Sequence, residues 1–134
     1  MKPCSKPPVK VVDSITELTA LDAGCIAVSG SHGGMSAARY AVAARPLLSI
    51  FNDAGVGLDD AGIAGLALLQ SHGLAACGVS HHSARIGDAR STLESGVVQH
   101  VNAAARSLGV EPGMRCEHIT QLLSAWRLTP SPRP

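Results

Sequence analysis

Residues 25–34 read Cys25-Ile26-Ala27-Val28-Ser29-Gly30-Ser31-His32-Gly33-Gly34. An unbroken apolar run is what a strand needs when both of its faces are covered, and the small polar residues that follow do not continue such a run. The stretch therefore reads as a strand over Cys25–Val28, a loop over Ser29–Gly34 and then an alanine-rich helix to about Arg45, where Pro46 stops it.

The same order recurs on both sides. Leu47–Phe51 is a second apolar strand, followed by Asn52-Asp53-Ala54-Gly55-Val56-Gly57. A helix is then expected from near Asp59, with Asp59 and Asp60 in its first turn and His72 and Gly73 at its end. Leu74–Val79 is a third strand and opens the longest irregular stretch, Ser80–Arg90. Upstream, the β-branched run Val9–Val12 precedes a capping box, Ser14-Ile15-Thr16-Glu17, which predicts a short helix. Downstream, a second capping box at Ser91–Glu94 predicts a helix to Leu108, ended by Gly109, with Val97, Val101, Ala104, Ala105 and Leu108 on one face. A last helix from about Met114 to Arg127 would pack through Ile119, Leu122, Leu123 and Trp126.

Strands that alternate with helices need crossover connections, and these are right-handed. The expected fold is α/β: a small three-layer α/β/α domain with a mostly parallel sheet of about four strands, doubly wound and Rossmann-like. It would occupy residues 9–128, between flexible proline-rich tails at 1–8 and 129–134. A chain of 134 residues suits one such domain.

Composition narrows the functional classes. The net charge of +1 gives no broad basic field, and three aromatic residues, Tyr40, Phe51 and Trp126, offer little for stacking bases, so nucleic acid is not an expected partner. The most apolar stretch, near Ala61–Leu69, is broken by Gly62 and Gly65 and is too short to span a bilayer, so no membrane partner is expected. Prolines stand in Met1–Pro8 where a signal peptide would need an apolar run. Cys4, Cys25, Cys77 and Cys116 lack CxxC spacing and read as reduced, mostly buried thiols of a cytoplasmic protein.

In parallel sheets, ligands bind beyond the carboxyl ends of the strands, which makes one site of the three loops. Gly30, Gly33 and Gly34 permit close backbone approach, and the amides at the next helix start suit an anion. Ser31 and His32 add a hydroxyl and a base. The loop lacks the lysine of a P-loop and the spacing of a dinucleotide site, and Ser29 stands where a nucleophile elbow needs its first glycine. Asp53 follows a strand and could orient a histidine, accept a proton, or merely close an Asx-turn beside Asn52 and Gly55. In the third loop, adjacent histidines in an extended segment face opposite ways, and His81 rather than His82 is taken to face the cleft. Arg85 would bind a carboxylate or phosphate, or pair with Asp88.

The candidate catalytic residues are thus Ser31, His32, Asp53 and His81, and the candidate binding residues are Gly30, Gly33, Gly34, Asn52, Gly55, Ser80, Ser83 and Arg85. His100 and Asn102 stand outside that set as residues near enough to the third loop to lean into the site. The expected activity is hydrolase or lyase chemistry on a small anionic metabolite. No cofactor is expected, and a divalent metal held by His32, Asp53 and His81 is the minor alternative. A non-catalytic anion-binding or regulatory subunit of a larger enzyme is the competing reading, and self-association fits either.

Overall fold

A computed structural model describes residues 7–57 and 60–125. Five strands form one sheet: β1 (Val9–Val12), β2 (Ile26–His32), β3 (Leu48–Asn52), β4 (Ala75–Val79) and β5 (Val98–Val101), in the order β1-β2-β3-β4-β5. The first four run parallel, and β5 returns antiparallel to β4. The helices are α1 (Met35–Ala44), α2 (Ala64–Ser71), α3 (Ala89–Ser95), α4 (Ala103–Ser107) and α5 (Cys116–Ser124). The chain is therefore α/β with a mostly parallel sheet.

Neighbours in sequence are neighbours in the sheet, so successive crossovers of one hand bring β1, β2, β3 and β4 side by side with their connections on the same face. The packing follows. Ala27, Phe51 and Ala76 share one apolar cluster with Ile15 and Leu18 of the first connection, Ala38 and Ala41 of α1, and Leu66 and Leu69 of α2. The alternate strand residues, among them Ile26, Val28, Ile50 and Cys77, pack in a second cluster with Ala84, Ala105 and the Cys116, Ile119 and Leu123 face of α5. Being buried on both sides, β3 and β4 have no exposed residue, which is why they read as largely apolar runs, interrupted in β3 by Ser49 and closed by Asn52.

The Ser14 capping box forms, with the Ser14 hydroxyl accepting the Thr16 N–H and the Glu17 carboxylate accepting the Ser14 N–H, over a single 3₁₀ turn. Buried Pro7 and the Pro8 carbonyl, which accepts the Ile26 N–H, already belong to the fold. The remainder of the expected tails, together with Cys4, Asp59 and Trp126, lies outside the described residues. Cys25, Cys77 and Cys116 are buried and unbridged. Burial pushes the Cys25 thiol up to about 11 and the Cys116 thiol up to about 12, and raises Cys77 as well, which keeps all three protonated and inert.

Several boundaries differ from the sequence reading. β2 does not end at Val28 but continues to His32, because Ser29 is wholly buried and donates its hydroxyl to the Ile50 carbonyl at 2.8 Å. The helix expected from near Asp59 starts instead at Ala64 as α2; Asp60 has φ +58° and belongs to the preceding turn. The predicted helix over residues 91–108 is three elements: α3, capped by Asp88 rather than Ser91, then β5, then α4, capped by Asn102. Gly96 ends α3 by donating to the Thr92 carbonyl, and a Cβ at that position would stand 2.4 Å from that carbonyl oxygen. The β-branched residues beyond it find the open edge of β4, which outweighs their weak tendency to helix. On α5, Ile119 and Leu123 are buried as expected but Leu122 is exposed.

Within β3, Ser49 is 1 % exposed and its hydroxyl has no hydrogen-bond partner among the described residues. Replacing it by alanine removes an unsatisfied group, so Ser49→Ala is expected to raise stability by about 1 kcal/mol in urea denaturation. A loss of similar size would show that the hydroxyl is bonded.

Candidate functional site

Asp53 follows β3 and extends it, its N–H donating to the Val79 carbonyl at 2.8 Å. Its side chain lies on the face of Phe51 and comes to rest over Gly78 of β4, where a Cβ would meet the Asp53 Cβ at 3.8 Å and His100 Cδ2 at 3.9 Å. His100 is paired in register with Gly78 across the β4–β5 ladder. Asp53 and His100 thus meet over Gly78 of β4.

The Asp53 carboxylate is 3 % exposed as a residue and is surrounded by donors. Oδ1 accepts the N–H of Gly55 at 2.8 Å and that of His81 at 3.0 Å. Oδ2 meets Nε2 of His100 at 3.2 Å, within hydrogen-bond distance, and Nδ1 of His81 lies 3.3 Å from Oδ1. Asp53 closes an Asx-turn through Gly55 and stands between two histidines. Burial works to raise its carboxyl, but the Gly55 and His81 amides and the His100 ring outweigh that and hold it below the usual carboxylate value.

Gly55 has φ +74°, and a Cβ there would lie 3.5–3.7 Å from the His81 ring atoms, so the glycine both makes the turn and keeps that ring edge open. The third loop is not extended at its histidines. Residues 81–83 turn, with the Ser83 N–H on the Ser80 carbonyl at 2.9 Å, and the rings of His81 and His82 lie side by side, their centroids 3.9 Å apart. The opposite-face argument for this pair consequently does not apply.

The structure brings Asp53, His81 and His100 together, while His32 of the first loop pairs in register with Asn52, one residue before Asp53. Among the described residues, no hydrogen bond or ion pair joins Ser31 or His32 to that group. The Ser31 hydroxyl accepts the Ile15 N–H at 2.9 Å, and Nδ1 of exposed His32 accepts the Gly34 N–H at 3.2 Å. The glycine amides are also engaged, Gly30 to the Asp13 carbonyl and Gly33 to that of Asn52, while the Gly30 carbonyl takes the Gly87 N–H at 2.7 Å. A Cβ on Gly30 would fall 2.4 Å from the Asp88 nitrogen, so this glycine admits a neighbouring loop of the protein.

Other candidates hold the loops to one another. Asn52, wholly buried, donates to the Ala84 carbonyl at 3.0 Å and accepts the Ala54 N–H at 2.7 Å. The Ser80 hydroxyl accepts the His82 N–H, and the Ser83 hydroxyl joins the Ser80 carbonyl to the Val97 N–H. Arg85 is exposed, and among the described residues its guanidinium has no ion-pair partner; Asp88 instead accepts the Ser91 N–H as the cap of α3. No group of three or more His, Cys, Asp or Glu side chains among the described residues is placed to hold a metal ion.

His100 is the principal residue that the sequence reading kept outside its main set. Gly96 followed by Val97-Val98 and then Val101 was the available signal for a strand there. Asn102, its companion, is structural: its side chain accepts the Ala76 and Ala105 N–H groups and donates to the Leu66 and Leu74 carbonyls. No helix among the described residues is long and apolar enough to cross a membrane. No family model matches the chain, and no curated protein or solved structure matches it either.

A carboxyl held below its ordinary value stabilises the fold above the unfolded value, about 3.9, and this contribution disappears as pH falls through the native one. Asp53→Asn is therefore expected to be less stable than the parent at neutral pH, with the gap narrowing below about pH 4. Urea midpoints of both proteins across that range test this; a constant gap would contradict it.

Proposed function

We propose that the chain is an enzyme that performs acid–base chemistry of hydrolase or lyase type on a small anionic metabolite, with Asp53 orienting His100 and His81 as the proton-carrying groups. The observation that carries this reading is the buried Asp53 carboxylate shared by two part-exposed imidazoles, whose side chains are 27 % exposed at His100 and 44 % at His81.

His100 is the better oriented of the two. With Nε2–H given to the carboxylate, Nδ1 keeps its lone pair and can accept a proton, and the adjacent anion compensates the imidazolium that forms. One carboxylate balances one imidazolium. In the state of zero net charge, one ring holds a proton to give and the other can take one, which is the pairing that an elimination or a water-dependent cleavage needs. Ser31 has no histidine at hydrogen-bond distance among the described residues, so the geometry supports acid–base catalysis over a serine nucleophile.

The test is a panel of carboxylate- and phosphate-bearing esters and β-hydroxy acids followed by proton NMR. Turnover of at least one class is expected, with a bell-shaped pH profile that belongs to the trio as a unit. His100→Gln and Asp53→Asn, each checked to be folded, should lower kcat/KM by about a hundredfold or more. Undiminished turnover in both variants would remove the proposal. Saturable anion binding without turnover of any class would favour a regulatory module.

A further inference from the structure

Beside His100 lies a shallow, solvent-open depression of about 560 Å³ lined by residues of α2, β5 and α4. We infer that this groove holds the body of the substrate, and that the substrate class is a short-chain aliphatic carboxylate with its charged end toward Arg106. The inference rests on the acid–base reading of His100 and adds a ligand class to it.

The floor is Ile63, the N-cap residue of α2, together with Leu66, Ala67 and Gln70 of the helix. Across from it, β5 and α4 run in step. Ile63 Cγ2 and His100 Cδ2 would each meet a Cβ on Gly78 at 3.9 Å, the Asn102 amide donates to the Leu66 carbonyl at 3.2 Å, and the Gln70 carboxamide oxygen accepts the Ala104 N–H at 2.7 Å. The two walls are thus fastened to each other at two levels. From Ile63 to Gln70 the helix rises about 10 Å, so His100 stands at one end and the α4 residues at the other.

The charge of the lining selects the ligand. Among the described residues no Asp or Glu lines the groove, and the ionisable residues there are His100 and Arg106. Arg106 Nη1 meets Glu111 Oε1 at 3.0 Å, but both side chains are more than half exposed, where such a pair holds weakly. The guanidinium has five N–H donors and only Nη1 is engaged in that pair, which leaves a fork for a carboxylate. Apolar Ile63, Leu66 and Ala67 between the two ends suit a hydrocarbon chain rather than a sugar or a base.

Hexanoate, 1-hexanol and hexylammonium are the probes, titrated into the ¹⁵N-labelled protein while amide shifts are followed. Hexanoate is expected to shift Ala67, Gln99 and Ala103 saturably and to bind about tenfold more weakly to Arg106→Gln. Ala67→Trp, at an exposed position, should fill the groove and abolish the shifts. Hexanol or hexylammonium binding as well as hexanoate, or an Arg106→Gln protein with unchanged hexanoate affinity, overturns the inference. Absence of hexanoate binding in a protein whose turnover still depends on His100 removes the groove assignment alone. Hexanoate binding that follows the expected pattern, in a protein whose turnover survives His100→Gln, supports the groove and removes the acid–base reading instead.

Discussion

Burying a carboxylate without compensation is costly enough that the group would instead take up a proton. Asp53 escapes this because donors from three separate parts of the chain converge on it: the turn after β3 through Gly55, the loop after β4 through His81, and the strand β5 through His100. None of these segments is adjacent to the others in sequence. The carboxylate thus depends on β5 returning beside β4, and the loops after β3 and β4 depend on the carboxylate for their common anchor. Fold and candidate site meet at this residue.

That dependence explains how a sheet with sequential strand order still gathers polar groups at one place. The first three connections pack on a single face through small residues and leave the chain after β4 to cover the other. In doing so the chain passes once across the sheet edge as β5, and this pass carries His100 over Gly78 and Asn102 over Ala76. The first residue enters the site. The second caps α4 and fixes the wall of the groove.

The inner parallel strands were legible in the sequence because burial on both faces writes itself as a mostly apolar run, as in Leu48–Phe51 and Ala75–Val79. β5 was not, because Val97, Val101, Ala104, Ala105 and Leu108 also satisfy helical spacing, and what decides between the two is a partner edge that no local pattern contains. The site divides in the same way. Asp53 and His81 were legible from their places after strands, whereas His100 needed β5 to be known. Ser31, Gly30 and Gly33 looked like ligand groups because free glycines, hydroxyls and amides resemble those that are engaged by the rest of the protein, and only the tertiary structure shows Ile15, Asp13 and Asn52 as their partners. A serine inside an apolar run is equally ambiguous: Ser29 and Ser49 are both core residues, one bonded to the Ile50 carbonyl and the other without a partner among the described residues.

The proposed orientation of His100 by Asp53 through Nε2 is read directly by nitrogen-15 NMR of the imidazole rings, since the protonated and unprotonated ring nitrogens of a neutral histidine are distinguished in the spectrum. Neutral His100 is expected to carry its proton on Nε2, with that preference weakened in Asp53→Asn. A neutral His100 protonated on Nδ1, or a tautomer unaltered by Asp53→Asn, would contradict it.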